Sequence, residues 1–174
     1  EAALQEAQRA LYRWLPNRIG SEYDDLIAAD AMTLMGLESV DGLRVIGVAG
    51  DDEKCEWICN ELGFDGAINY KTDDIATKLE ALTPEGVDIY FENTGGPIQN
   101  AVFERMNAHG RIVVCGMIAD YSTATPAPGP NWIPLIKKRI TVRGFAMPDH
   151  FDEAPALLEK LTPYVMGGKI KFRT

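Results

Sequence analysis

From Leu43 onward, short apolar runs alternate with stretches whose apolar positions recur at helical spacing. Leu43-Arg-Val-Ile-Gly-Val-Ala-Gly50 is apolar and β-branched, ends in glycine, and predicts a buried strand. Asp51, Asp52 and Glu53 then place carboxylates where a helix begins, Trp57, Ile58 and Leu62 supply its apolar face, and Gly63 stops it. Phe64 to Tyr70 reads as a short strand. Thr72 to Leu82 reads as an amphipathic helix through Ile75, Leu79 and Leu82, closed by Pro84 and Gly86. Val87 to Phe91 is the next strand. A helix follows Pro97, carries Ile98, Ala101, Val102 and Met106 inward, and ends at His109-Gly110. Arg111 to Gly116 is a further strand, 122–131 a proline-containing loop, and Ile133–Lys138 a short helix leading into the strand Ile140–Phe145. Phe151 to Val165 predicts a last helix and Lys169 to Phe172 a possible final strand.

Strands alternating with helices imply βαβ crossovers, so the expected class is α/β: a doubly wound, mostly parallel sheet with helices on both faces. Two of the strand ends are unusual. The run ending Glu92-Asn-Thr-Gly-Gly96 and the later Cys115-Gly-Met-Ile-Ala-Asp-Tyr121 both pass abruptly from apolar to small and polar residues. That is the expected form of a parallel strand delivering its carboxyl end to a ligand crevice.

Residues 1–42 break the alternation. Glu1 to Leu15 is rich in helix formers, Pro16 ends that stretch, and 21–42 mix acidic and apolar residues without a period of two. This segment reads as a helical and loop-like lead, with the α/β domain over 43–174.

With 174 residues, a sizeable core needs no disulfide or metal. The net charge of −9 argues against nucleic acid as a partner, because phosphate contacts need a basic face. No apolar run reaches the length of a membrane span and no signal peptide is visible, so the expectation is a cytoplasmic protein. Cys55, Cys59 and Cys115 read as reduced thiols. Cys55 and Cys59 lie one helical turn apart, and His109 and His150 are distant from both, so no zinc-ligand spacing occurs.

Five segments together resemble a known family. They are Gly42-Leu-Arg-Val-Ile-Gly-Val-Ala-Gly-Asp-Asp-Glu-Lys-Cys55, Gly63-Phe-Asp-Gly-Ala-Ile-Asn-Tyr-Lys71, Asp88-Ile-Tyr-Phe-Glu-Asn-Thr-Gly-Gly96, His109-Gly-Arg-Ile-Val-Val-Cys-Gly-Met-Ile118 and Lys138-Arg-Ile-Thr-Val-Arg-Gly-Phe145. Their order and spacing resemble the Rossmann-like nucleotide-binding domain of zinc-independent medium-chain dehydrogenases/reductases. The likeness is to the NADP-dependent group of leukotriene B4 12-hydroxydehydrogenase/prostaglandin reductases, alkenal double-bond reductases and curcumin reductase. It implies reduction of the C=C bond of an α,β-unsaturated ketone or aldehyde, the small-molecule partner.

The resemblance implies roles residue by residue. Lys54 and Tyr70 would sit at the 2′-phosphate of NADP, and Asn93 at the cofactor backbone or ribose. Cys115, Gly116, Met117, Ile118 and Tyr121 would line the nicotinamide half, with Tyr121 holding the ribose or assisting proton delivery. Phe145, Ala146 and Met147 would cover the nicotinamide face. The strand Ile140–Phe145 would be a sheet edge able to pair in a homodimer. The residues themselves leave NAD and NADP open, because Asp51 and Asp52 precede Lys54 just past the end of the Leu43–Gly50 strand.

The chain also departs from the family. It contains no GxGxxG and no P-loop, and Ala28 to Asp41 stands where a glycine-rich turn is expected. The family's catalytic domain is not recognisable either. A non-catalytic, truncated or rearranged Rossmann-like module is therefore the alternative reading. A third is an acyl-carrier-like start, in which Met35-Gly-Leu-Glu-Ser-Val40 resembles a phosphopantetheine motif and Ser39 would be modified; Ser39 otherwise reads as a helix cap or turn residue.

Overall fold

The computed structural model describes residues 43–121, 124–125 and 128–167. The helical lead over 1–42, the carrier motif at Ser39 and the strand Lys169–Phe172 lie outside the described residues. The chain divides into two compact units. One contains the described residues 43–67 and 146–167, and the other spans Ile68–Phe145.

In the first unit, β1 (Ile46–Ala49) leads to α1 (Asp52–Asn60), as the pattern predicts. Asp51 caps that helix, its Oδ1 accepting the Lys54 N–H at 2.8 Å. Gly63, with φ 71°, ends the turn that follows. Val45, Ala49, Ile58, Leu62 and Phe64 form a buried cluster, with Cys55, Trp57, Ala67 and Val165 packed around it. Gly47 permits the close approach of helix and strand: a Cβ there would stand 3.0 Å from Ile58 Cγ2 and 3.1 Å from Phe64 Cδ2. The Asp65 carboxylate accepts the Val45 N–H at 2.7 Å, and the Asp65 N–H donates to the Val45 carbonyl at 2.9 Å. The strand β2 (Gly66–Asn69) follows and pairs with β1.

At the far end of the chain, a 3-10 turn at Met147–Glu153 precedes α5 (Ala154–Met166). The α-helix thus starts three residues later than the Phe151 expected from its apolar spacing. Pro155 at its second position suits a helix start, since a first-turn proline loses no hydrogen bond.

The second unit carries the larger sheet. After α2 (Ile75–Leu82), capped by Asp74 on the Thr77 N–H at 2.8 Å, come β3 (Val87–Glu92), α3 (Gly96–Arg105), β4 (Met106–Val114), α4 (Ile133–Lys138) and β5 (Thr141–Gly144). Strands β3, β4 and β5 are adjacent in that order and both pairings are parallel. This is the parallel α/β arrangement that the alternation predicts. Ile68, Leu79, Ile98, Val102, Phe103, Met106, Ile112, Val113, Ile140 and Phe145 are its buried apolar residues.

The start of α2 at Ile75, three residues after Thr72, and the end of α3 also differ from the sequence reading. The latter helix ends at Arg105 instead of running to His109-Gly110, and the chain enters β4 at Met106. Val87 aligns with Met106 but Ile89 with Arg111, so β4 accommodates extra residues opposite one step of β3. Two features hold that bulge. Asn107 donates from Nδ2 to the Glu85 carbonyl at 2.9 Å and to Asp88 Oδ1 at 2.8 Å. His109 takes a left-handed φ of 63° just before Gly110.

Candidate functional site

Parallel pairing brings the carboxyl ends of β3, β4 and β5 to one edge of the sheet. The β3 end is the turn Glu92–Gly96, in which Gly95 (φ 77°, ψ −167°) and Gly96 (φ 61°) take positive-φ conformations that residues with side chains rarely adopt. Pro97 follows in the first turn of α3.

The segment leaving β4 runs alongside this turn and is bonded to it throughout. The Glu92 carbonyl accepts the N–H groups of Cys115 at 2.8 Å and Gly116 at 3.3 Å. The Asn93 carbonyl accepts from Ile118 at 3.2 Å, and the Thr94 carbonyl from Ala119 at 2.9 Å. At the third strand end, the Phe145 N–H donates to the Val114 carbonyl at 2.9 Å and the Phe145 ring is buried.

Gly116 is the point where the two loops meet. A Cβ on Gly116 would collide with Asn93 Oδ1 and stand 3.1 Å from the Tyr121 hydroxyl. Asn93, the bare backbone at Gly116 and the Tyr121 hydroxyl therefore converge on one spot. The Tyr121 oxygen accepts the Met117 N–H at 3.1 Å, while the side chain as a whole is 72% exposed. A phenol that accepts there keeps its own proton for another partner. Asp120 Oδ2 would lie 3.2 Å from a Cβ placed on Gly95, so a carboxylate borders the turn.

A second carboxylate lies beneath it. Glu92 is fully buried and both its oxygens accept hydrogen bonds. Oε1 accepts the Thr94 N–H at 2.6 Å and the Gly95 N–H at 2.8 Å, and Oε2 accepts the Tyr90 hydroxyl at 2.7 Å. Burial, and after it the Glu92 charge, pushes the Tyr90 phenol well above its usual range. Sequence reading passed over Glu92. Its signal was an acid closing an apolar strand directly before a small-residue turn, two positions after a tyrosine on the same strand face.

Of the residues predicted for the site, the sheet edge brings together Asn93, Cys115, Gly116, Met117, Ile118, Tyr121 and Phe145. Tyr70 lies just beyond β2, with Lys71 Nζ 5.9 Å from its ring centroid. Lys54, Ala146 and Met147 belong to the other unit. Lys54 Nζ pairs there with Asp51 Oδ2 at 3.3 Å, with both side chains about half exposed (48% and 47%). Ala146 is exposed, and Met147 opens the 3-10 turn. Among the described residues, no group of three or more His, Cys, Asp or Glu side chains is arranged to hold a metal ion. No helix among them is long and apolar enough to cross a membrane.

A family model described as zinc-binding dehydrogenase matches residues 31–162, so the chain belongs to that family. The match takes in 31–42 as well as the five segments quoted above. The chain is 42% identical over 132 residues to (+)-pulegone reductase of Mentha piperita, an alignment covering 75% of the chain and 39% of that protein. It is 40% identical over 132 residues to the NADP(+)-dependent 2-alkenal reductase of Nicotiana tabacum, covering 75% of the chain and 38% of the relative. Among solved structures, CurA from Vibrio vulnificus in complex with NADPH superposes with a TM-score of 0.67 at 36% identity. That superposition covers 77% of this chain and 42% of CurA. The fold is thus the Rossmann-like one. The chain spans about two fifths of the length of these relatives.

Proposed function

We propose that this chain, a member of the zinc-binding dehydrogenase family, is the cofactor-binding portion of an NADPH-dependent reductase of α,β-unsaturated ketones and aldehydes. The observation that carries the reading is the convergence of Asn93, Gly116 and Tyr121 at the carboxyl edge of a parallel sheet, where such sheets take their ligands. The names of the relatives supply the substrate class. Pulegone reductase and 2-alkenal reductase are named for enone and enal substrates, and CurA was solved with NADPH.

In this reading each residue has a task. Asn93 offers its carboxamide to the ribose or cofactor backbone. Cys115, Gly116, Met117 and Ile118 line the nicotinamide half, and Gly116 presents backbone where a side chain would intrude. Tyr121 uses its remaining phenolic proton to hold a ribose hydroxyl or to support proton delivery beside the substrate carbonyl. Phe145, Ala146 and Met147 cover the nicotinamide face. Lys54 and Tyr70 serve the 2′-phosphate, which needs a cation where an NAD site needs an acid. When bound, NADPH supplies a hydride to the β-carbon of the enone while a proton reaches the α-carbon, so the C=C bond becomes saturated and NADP remains. None of these tasks needs a metal, so the proposal is a zinc-independent site.

The same proposal treats 43–174 as an incomplete Rossmann-like domain behind a lead segment at 1–42, in a cytoplasmic protein able to dimerise through the β5 edge. The test is titration of the chain with NADPH and with NADH, followed by nicotinamide fluorescence and melting temperature together. Saturable binding that favours NADPH supports the reading. Absence of binding by either cofactor overturns it in favour of a non-catalytic Rossmann-like module.

A further inference from the structure

The Glu92 carboxylate does more than fill space in the core. Its Oε1 gathers two consecutive backbone donors, Thr94 N–H at 2.6 Å and Gly95 N–H at 2.8 Å. Two consecutive amides converging on one oxygen make a small anion site. Here the anion is part of the protein. The Thr94 and Gly95 N–H groups are thereby taken, and the Asn93 side chain of the same turn faces the bare backbone of Gly116.

The consequences extend along the hydrogen bonds. With Thr94 and Gly95 held by Glu92, the carbonyls of Asn93 and Thr94 stand ready for the Ile118 and Ala119 amides. Those bonds fix the 117–119 segment, and the Met117 amide in turn engages the Tyr121 hydroxyl at 3.1 Å. A continuous chain of bonds therefore runs from a fully buried acid to an exposed phenol. Tyr90 anchors its inner end, donating to the other Glu92 oxygen at 2.7 Å.

We infer that Glu92 is the positioning residue of the site: its buried carboxylate fixes the Asn93–Gly96 turn and, through that turn, the 117–121 segment that carries Tyr121. Its importance for cofactor binding rests on the function proposed above, whereas the coupling between the two loops does not.

The experiment separates the two. Amide hydrogen exchange and NADPH titration are measured on the full chain for wild type, Glu92→Ala, Glu92→Gln and Tyr90→Phe. In Glu92→Ala, the Thr94, Gly95, Ile118 and Ala119 amides exchange about tenfold faster, while Ile112 and Val113 in the middle of β4 keep their protection. The NADPH dissociation constant rises by about tenfold, a change of the size linked to losing one local constraint. Glu92→Gln restores both, since one amide oxygen can still accept the two N–H groups while its NH2 faces the Tyr90 oxygen. Tyr90→Phe gives a smaller change in the same amides and remains informative if Glu92→Ala does not fold.

Uniform loss of protection across β4 and both loops would mean a generic core role and overturn the inference. So would unchanged exchange at Ile118 and Ala119. If the exchange pattern appears as expected but wild type binds neither NADPH nor NADH, the positioning role stands and the proposed cofactor reading fails. If NADPH binds but its affinity ignores Glu92→Ala, the turn does not govern the cofactor site.

Discussion

The Tyr90 hydroxyl donates to Glu92 Oε2 at 2.7 Å, one strand step beneath the turn that leaves β3. Burial first, and the adjacent carboxylate second, hold the phenolic proton to a higher pH than in the unfolded chain. A group with a raised folded pKa contributes stability that is present below its unfolded value and is lost as pH rises through its folded value. Wild type should therefore lose stability above about pH 10, where an unfolded tyrosine ionises. Tyr90→Phe should be less stable at neutral pH but show a shallower decline above that point. Urea unfolding from pH 7 to 11 reads both effects, and parallel declines in the two proteins would refute the assignment.

Gly116→Ala places a methyl against Asn93 Oδ1 and beside the Tyr121 hydroxyl. Relief requires the Asn93 side chain or the loop to move, so a stability loss of about 1–3 kcal/mol is expected. The variant should also bind NADPH more weakly than this loss would explain. Denaturant melts beside fluorescence titration make the comparison.

At Gly95, φ 77° with ψ −167° belongs to a region that only glycine occupies readily. Gly95→Ala should cost about 1–3 kcal/mol from backbone strain alone. The added methyl would also stand 3.2 Å from the Asp120 carboxylate. A melting temperature within error of wild type would show that the turn relaxes without strain.

Lys54 and Asp51 separate stability from selectivity. Their ion pair is about half exposed and is worth at most about 1 kcal/mol, so Lys54→Ala should leave stability almost unchanged. Its effect should fall on the ratio of NADPH to NADH affinity, by about tenfold. Asp51→Ala instead removes the helix cap and should cost about 1 kcal/mol. Equal effects of Lys54→Ala on the two cofactors would remove Lys54 from the 2′-phosphate.

Tyr121→Phe deletes one hydrogen bond on a largely exposed side chain. Stability should change by less than about 1 kcal/mol. NADPH affinity should fall if the hydroxyl meets the ribose. Circular dichroism melts and cofactor titration decide between a ligand contact and a loop tyrosine.

Much of the fold was legible because its determinants are local. The carboxylates from Asp51 to Glu53, the stop at Gly63 and the β-branched runs of β1 and β4 act within a few residues of themselves. The helix ending at Arg105 was not legible. Asn107 and His109 read as helix continuation until the bonds from Asn107 to Glu85 and Asp88, distant in sequence, are known. The strand ends that carry Asn93, Gly116 and Tyr121 break off in small and polar residues, a signal visible in one dimension, whereas the roles of those residues came from the family resemblance. Glu92 was passed over because a charged residue on a strand is ordinarily an exposed one, and only its partners show otherwise.

The sequence alone therefore determined the order of strands and helices, the acidic start of the first helix and the two polar strand ends, since each depends on neighbours along the chain. Tertiary structure decided which strand ends meet. Parallel pairing of β3 with β4 in one register sets the Glu92 and Asn93 carbonyls against the Cys115–Ile118 amides and brings Tyr121 to Gly116. Register is a relation between segments far apart in the chain, chosen by which side chains can be buried together, and no single segment carries it.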